Sequence, residues 1–230
     1  TFNGTLTQDG GTLRLGDAAE INTMTVTGDY VQNGGDLEID VDGATTDVLT
    51  VSGNVTLAGD LVVNVLSSPA LGSSFTILNN AGANPITGQF ASFDEGELFT
   101  IGSDLFQLTY LGGDGNDVVI KTIDPSMPAI MGTGADDLFE TILNGANVEV
   151  SLNGSMIFSV AAGTPITLLG MGGNDTLISY FTAGNYGNIT FDGGTQTGTP
   201  GDTLSLVGGT FTTVTFDHTN SSDGFIDLDG

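Results

Sequence analysis

The sequence predicts an all-β chain wound as a parallel β-helix, a β-solenoid, and three observations carry that expectation. The first is a repeated phrase. Gln8-Asp9-Gly10-Gly11-Thr12-Leu13-Arg14-Leu15 returns 24 residues later as Gln32-Asn33-Gly34-Gly35-Asp36-Leu37-Glu38-Ile39. A looser third copy aligns Val26-Thr27-Gly28-Asp29-Tyr30 with Val51-Ser52-Gly53-Asn54-Val55, and Asp36-Leu37 with Asp60-Leu61 after a one-residue deletion. The second is period-two alternation of apolar and polar residues, as in Thr23–Thr27, Leu37–Val41, Leu61–Val65, Val148–Leu152 and Leu204–Leu206, with no window of helical periodicity. The third is a strand-and-turn composition, with 36 glycines among abundant Thr, Val, Ile, Leu, Asn and Asp. A unit this short cannot bury its own apolar face, so it stacks on its neighbours.

Taken in order, residues 1–123 read as a run of rungs, each about three strands of ~5 residues joined by turns. The stretch Phe75–Phe106 departs from the repeat and holds Phe75, Phe90, Phe93, Phe99 and Phe106, as a cap or an irregular rung. A boundary follows at Ile123-Asp124-Pro125-Ser126-Met127-Pro128, where two prolines remove backbone donors and stop a strand from running through. Residues 129–230 form a second acidic β unit with its own echo. Ile166-Thr167-Leu168-Leu169-Gly170 and Gly173-Asn174-Asp175-Thr176-Leu177 parallel Ile189-Thr190-Phe191-Asp192-Gly193 and Gly201-Asp202-Thr203-Leu204, with an insertion at Thr195–Pro200. The two halves form one continuous solenoid or two stacked β units. Unpaired sheet edges at the ends must be capped or continued.

The charge balance narrows the partners. Two Lys+Arg stand against 28 Asp+Glu, a formal net charge of −26, while an apolar fraction of 39% supplies a core. Self-repulsion on this scale is relieved by salt or bound cations, and oxygen-rich sites suit Ca²⁺. No basic patch is available for nucleic acid or anionic lipid. The absence of Cys rules out disulfides and thiolate metal sites. No apolar run approaches the ~18 residues of a membrane span. With no signal-like start and strand-like ends, the chain reads as a mature product or a segment of a longer polypeptide.

The sharpest local motif is Gly112-Gly113-Asp114-Gly115-Asn116-Asp117-Val118-Val119-Ile120, which fits the calcium-binding nonapeptide G-G-x-G-x-D-x-U-x at every specified position. Its glycines allow a tight turn with inward carbonyls, the sixth residue adds a carboxylate, and the eighth anchors the next strand. Met131–Phe139 keeps Gly132, Gly134, Asp136 and Leu138; Gly170–Ile178 keeps Gly170, Gly173, Asp175 and Leu177; Gly201-Asp202-Thr203-Leu204 keeps the end. The motif aspartates 117, 136, 175 and 202 are 19, 39 and 27 residues apart, near one, two and one rungs. Asp114, Asp117, Asp136, Asp175 and Asp202 are therefore the candidate Ca²⁺ ligands, best at Asp114 and Asp117. The same Gly-x-Asp pattern is also ordinary turn chemistry ahead of a strand.

Catalytic chemistry is poorly represented. His218 is the sole histidine, and no Ser or Cys motif accompanies it. The acidic pairs Asp94-Glu95, Asp136-Asp137 and Asp40/Asp42 have the residue types of a glycosidase, but read better as solvated turn carboxylates. Arg14 and Lys121, the only Arg and Lys, lie in different halves, whereas cleavage of acidic polysaccharides generally needs a cation against the substrate carboxylate. Lys121 also raises an internal isopeptide to Asn or Asp, as in some surface fibres.

The first half resembles the passenger β-helices of bacterial autotransporter-type adhesins, on Gly28–Ile39, Asp47–Gly53, Leu57–Leu61, Phe75–Leu78 and Gly113–Val119. The second resembles the acidic repeats of very large secreted bacterial proteins, including planctomycete ones, with RTX-like calcium turns and Gly172-Gly173-Asn174-Asp175-Thr176-Leu177 as the marker. These resemblances imply export to the bacterial surface or beyond, and structural or adhesive work in a surface layer, fibre or adhesin. Expected partners are copies of the chain itself, neighbouring repeats of a longer chain, or surface glycans. The competing expectation is a carbohydrate-binding or carbohydrate-cleaving β-helix, for which an aromatic groove is the mark. Trp is absent and Tyr30, Tyr110, Tyr180 and Tyr186 are scattered.

Overall fold

A computed structural model of the chain describes residues 1–184, 186–196, 201–211, 213–218 and 224–229. The described residues form strands and turns with no helix, and stacked parallel strands make the fold a β-solenoid. The chain divides into two compact units, Thr1–Asp124 and Pro125–Gly230.

In the first unit, one sheet runs β1 (Leu6–Arg14), β3 (Tyr30–Asp42), then β6 (Val55–Leu57) and β7 (Asp60–Ser67) side by side on β3, then β9 (Thr87–Gly88) on β6. A short β4 (Thr45–Thr46) folds back on the end of β3. The second sheet stacks β2 (Thr23–Val26), β5 (Val48–Val51) and β8 (Ser74–Asn80) in parallel. It then reverses: β12 (Asp117–Thr122) lies antiparallel on β8, followed by β11 (Asp104–Gly112) and β10 (Leu98–Ile101).

The repeat in the sequence is the hydrogen-bond register of these sheets. Gln8 pairs with Gln32 and Leu13 with Leu37, Val26 with Val51, Tyr30 with Val55, and Leu37 with Leu61. Parallel stacking in register places like on like, so Leu37, Ile39 and Val41 all point inward and are fully buried, each worth about 1.5–3 kcal/mol on removal from water. Asp36, Glu38 and Asp42 alternate with them on the outer face.

The glycines of the phrase are explained by the same stacking. A Cβ on Gly35 would lie 2.2 Å from the Gly11 carbonyl oxygen, and one on Gly59 would lie 2.4 Å from the Gly35 oxygen. Each corner is thus filled by the backbone of the preceding rung. Inside, Gln32 Nε2 donates to the carbonyls of Gly35 and Asp60 at 3.0 Å, and Gln8 does the same to Gly11 and Asp36. Each glutamine fastens its own turn to the next rung.

Within the stretch Phe75–Phe106, β8 still belongs to the parallel stack, pairing Leu49 with Leu78, while β10 and β11 are antiparallel. Phe93 and Phe99 pack edge to face, and Phe99 stacks on Phe106. The Tyr110 hydroxyl, buried here, donates to Phe93 O and accepts from Phe90 N–H.

In the second unit three turns stack. One sheet is β13 (Ala129–Met131), β17 (Ile166–Leu169) and β20 (Ile189–Asp192); a second contains β14 (Leu138–Asn144), β19 (Thr176–Tyr180) and β22 (Thr203–Val207). Between them β18 (Gly172–Gly173) pairs with β21 (Thr195–Gln196). Ile166 is in register with Ile189, and Leu177 with Leu204, as the internal echo predicts. The antiparallel pair β15 (Asn147–Leu152) and β16 (Ser155–Ala161) extends from β14. The long step from the first turn to the second is therefore one rung plus an inserted hairpin, and not the two rungs that its length suggests. Strands β23 (Thr213–His218) and β24 (Gly224–Asp229) form a hairpin. Residues 197–200 of the insertion and the side chain of His218 lie outside what is described.

Candidate functional site

The Gly-x-Asp turns of the second unit come together as a column. Each first-sheet strand is followed directly by a glycine, Gly132, Gly170 or Gly193, and an aspartate, Asp137, Asp175 or Asp202, stands directly ahead of each second-sheet strand. Register places Asp137, Asp175 and Asp202 one above another, because Leu138 pairs with Thr176 and Thr176 with Thr203. The Asp137 N–H donates to Asp175 Oδ1 at 2.8 Å, and the Asp175 N–H donates to Asp202 Oδ1 at 2.8 Å. A carboxylate that accepts from a backbone amide makes a charge-assisted bond stronger than a neutral one. The column is thus a rung-to-rung clasp.

The second carboxylate oxygen accounts for the glycine. A Cβ on Gly170 would lie 2.2 Å from Asp175 Oδ2, one on Gly132 2.6 Å from Asp137 Oδ2, and one on Gly193 2.2 Å from Asp202 Oδ2. The carboxylate occupies the space that any side chain would need. Asp137 Oδ2 also accepts from the Thr133 N–H and hydroxyl, and its Oδ1 accepts from Asn153 Nδ2. Asp175 Oδ2 is buried without a hydrogen-bond partner.

The electrostatics follow. Burial pushes the Asp175 carboxyl up to about 6; the Asp137 amide pulls it down, and the charges of Asp137, Asp202 and Asp136 push it further up. Asp117 is raised by burial against the pull of the Asn80 amide, with Asp114 adding repulsion. Asp47 is raised by burial, lowered by the amides of Asn22 and Asp40, raised by the Asp40 charge and lowered by Arg14.

The candidate calcium ligands separate into three situations. Asp175 and Asp202 stand in the column. Asp136 is exposed beside it, accepting from the Asn174 N–H at 2.8 Å. Its neighbour Asp137 holds the register position, and the equal spacing of Gly132–Asp137 and Gly170–Asp175 is the signal that identifies it. Asp114 and Asp117 lie in the first unit, in the turn that joins antiparallel β11 to β12. Asp114 is exposed, Asp117 is buried with Oδ1 accepting from the Asn80 N–H at 2.8 Å, and the nearby Asn116 Oδ1 is buried without a hydrogen-bond partner. Among the described residues, no three His, Cys, Asp or Glu side chains converge to hold a metal ion.

Amide clasps recur in the first unit, where sequence reasoning assigned no role. Asp47 accepts from the Asn22 N–H at 2.6 Å and from the Asp40 N–H at 3.0 Å, and Asp29 accepts from the Asn54 N–H at 2.7 Å. The acidic pairs are similarly engaged: Glu95 Oε2 takes the Tyr110 N–H, and Asp40 takes the Ala19 N–H and Asn64 Nδ2. Arg14 bonds Glu38 and lies 3.7 Å from Asp40. Lys121 stands opposite Gln107 and Ser74, which are not isopeptide partners of the Asn or Asp type. Tyr30, Tyr110 and Tyr186 are buried, while Tyr180 donates to Glu140. No protein-family model matches the chain, and no curated protein and no solved structure matches it.

Proposed function

We propose that this chain is a non-enzymatic structural or adhesive module outside the bacterial cell, a stretch of scaffold in a surface layer, fibre or adhesin. One observation carries the reading: the buried polar side chains Gln8, Gln32, Asp47, Asp117, Asp137 and Asp175 bond the chain's own backbone, mostly from one rung to another. Side chains that a catalytic centre would aim at a substrate hold the solenoid together instead. The outward carboxylates, at a net charge of −26, keep such a module soluble and apart from anionic surfaces.

The deciding experiment is an assay of the purified chain on a panel of acidic and neutral polysaccharides for new reducing ends or unsaturated products. No turnover is expected, and reproducible turnover overturns the reading in favour of a carbohydrate-cleaving β-helix. Calcium belongs to the proposal at the Asp114–Asp117 turn, where Asp114, Asn116 and Asp117 supply oxygens. Adding Ca²⁺ in place of EGTA is expected to raise Tm, with the gain lost in Asp114→Asn. An unchanged Tm removes calcium and leaves the scaffold.

A further inference from the structure

In the second sheet of the second unit, each joint between stacked turns is made by an aspartate that gives two backbone groups to the turn that follows. The Asp137 N–H goes to Asp175 Oδ1, and the Asp137 carbonyl accepts the Thr176 N–H at 2.7 Å. The next joint repeats both bonds, from the Asp175 N–H to Asp202 Oδ1 and from the Thr203 N–H to the Asp175 carbonyl. No earlier turn stacks on β14; its neighbour away from β19 is the antiparallel β15. Asp137 Oδ1 and the Leu138 N–H therefore need a donor and an acceptor from elsewhere.

One side chain supplies both. Asn153 Nδ2 donates to Asp137 Oδ1 at 2.7 Å, and Asn153 Oδ1 accepts the Leu138 N–H at 2.9 Å. Its carboxamide offers a donor and an acceptor, and they stand where the N–H and C=O of an earlier aspartate would stand. The Asn153 N–H adds a bond to the Leu138 carbonyl at 2.9 Å. Asn153 reaches this position from the tip of the β15–β16 hairpin, in the left-handed region at φ 51°, with Gly154 following at φ 82°, the turn that an Asn-Gly pair favours. The first unit ends a column by the same means. The Gly28 N–H donates to Gly4 O and the Gly53 N–H to Gly28 O. Gly82 stacks next, on the Gly53 carbonyl, and its own carbonyl accepts from Asn116 Nδ2 at 2.8 Å.

We propose that the β15–β16 hairpin is a guard that keeps β14 from pairing with the same strand of a second copy, and that Asn153 is its latch. Without the hairpin, β14 presents a row of unpaired N–H and C=O groups, which recruits other strands. Its sequence suits antiparallel pairing with itself about Thr141. Phe139 then meets Leu143 on the inner side, and Glu140 meets Ile142 on the outer side. Alternation sends the Leu138, Glu140 and Ile142 backbone groups to the edge that β15 now fills. The inference goes beyond the scaffold reading, because it names an edge at which copies are held apart.

The test compares the full chain with its Asn153→Gly variant by amide hydrogen exchange and by sedimentation in high salt, where the net charge is screened. Glycine keeps the left-handed turn and removes the carboxamide. Exchange at the Leu138, Glu140 and Ile142 amides is expected to speed up about tenfold, through loss of the bonds to the Asp137 carboxylate and the Leu138 amide. Amides of β2 and β5 in the first unit are expected to keep their rates. The sedimenting mass is expected to grow with concentration more steeply than in the unmodified chain. Asn153→Asp sets a second carboxylate against Asp137, is expected to speed exchange further, and supplies the same readouts if Asn153→Gly does not fold. Unchanged exchange at the three β14 amides overturns the latch, and faster exchange without added association overturns the guard. Polysaccharide turnover, by contrast, bears on the scaffold reading alone.

Discussion

At the scale of single residues, Asp175 joins a structural bond to a titration. Its Oδ1 accepts the Asp137 N–H, while its Oδ2 rests on Gly170 without a partner. With a folded pKa near 6 above an unfolded value of about 3.9, the folded chain holds the extra proton between those pH values. Stability from this group therefore falls as pH rises from about 4 to about 6 and is flat above. Asp47 and Asp117 are shifted in the same direction. Melting curves at pH 4, 5, 6 and 7 are expected to show Tm declining with pH in the unmodified chain and declining less in Asp175→Asn; equal slopes would contradict the assignment. Gly170→Ala drives a Cβ into the carboxylate and is expected to cost about 1–3 kcal/mol in urea unfolding. The penalty shrinks in an Asp175→Ala background, since contacting residues couple.

At the scale of the element, the glutamine that fastens one rung to the next is the unit of cohesion. Gln32→Ala leaves the Gly35 and Asp60 carbonyls without their side-chain donor in a buried setting, a loss of about 1–3 kcal/mol for each group left unsatisfied. The equivalent Gln8→Ala, whose turn at Gly10 and Gly11 is exposed where that at Gly34 and Gly35 is half-buried, is expected to cost less; equal losses by urea titration would show that the two rungs are not graded. Rung pairing was legible in the sequence because parallel stacking puts identical residues in register, so Gln8 over Gln32 and Leu177 over Leu204 are visible as repeats. The hairpin Asn147–Ala161 was not legible as an insertion, since its alternation is that of any strand and antiparallel pairing leaves no repeat. For the same reason the turn at Asp114 and Asp117 carries a repeat-type motif but closes an antiparallel hairpin.

At the scale of the whole molecule, two bases cannot offset 28 acids. Raising NaCl from 10 mM to 0.5 M is expected to increase Tm, because salt screens the mutual repulsion of the exposed carboxylates; a flat or falling response would show that local pairings outweigh the net field. The sequence by itself determined the all-β solenoid, the register of its rungs, the acidic exterior and the glycine corners, because a stacked repeat writes its contacts into its period. Only the tertiary structure decided which aspartate of the 136–137 pair enters the column and that its carboxylates bond amides of adjacent turns. It also decided that an antiparallel strand, β12, lies on β8 and closes the parallel stack of the first unit. Those outcomes depend on which backbone groups neighbouring chain segments leave free, and a local pattern of residues carries no record of that.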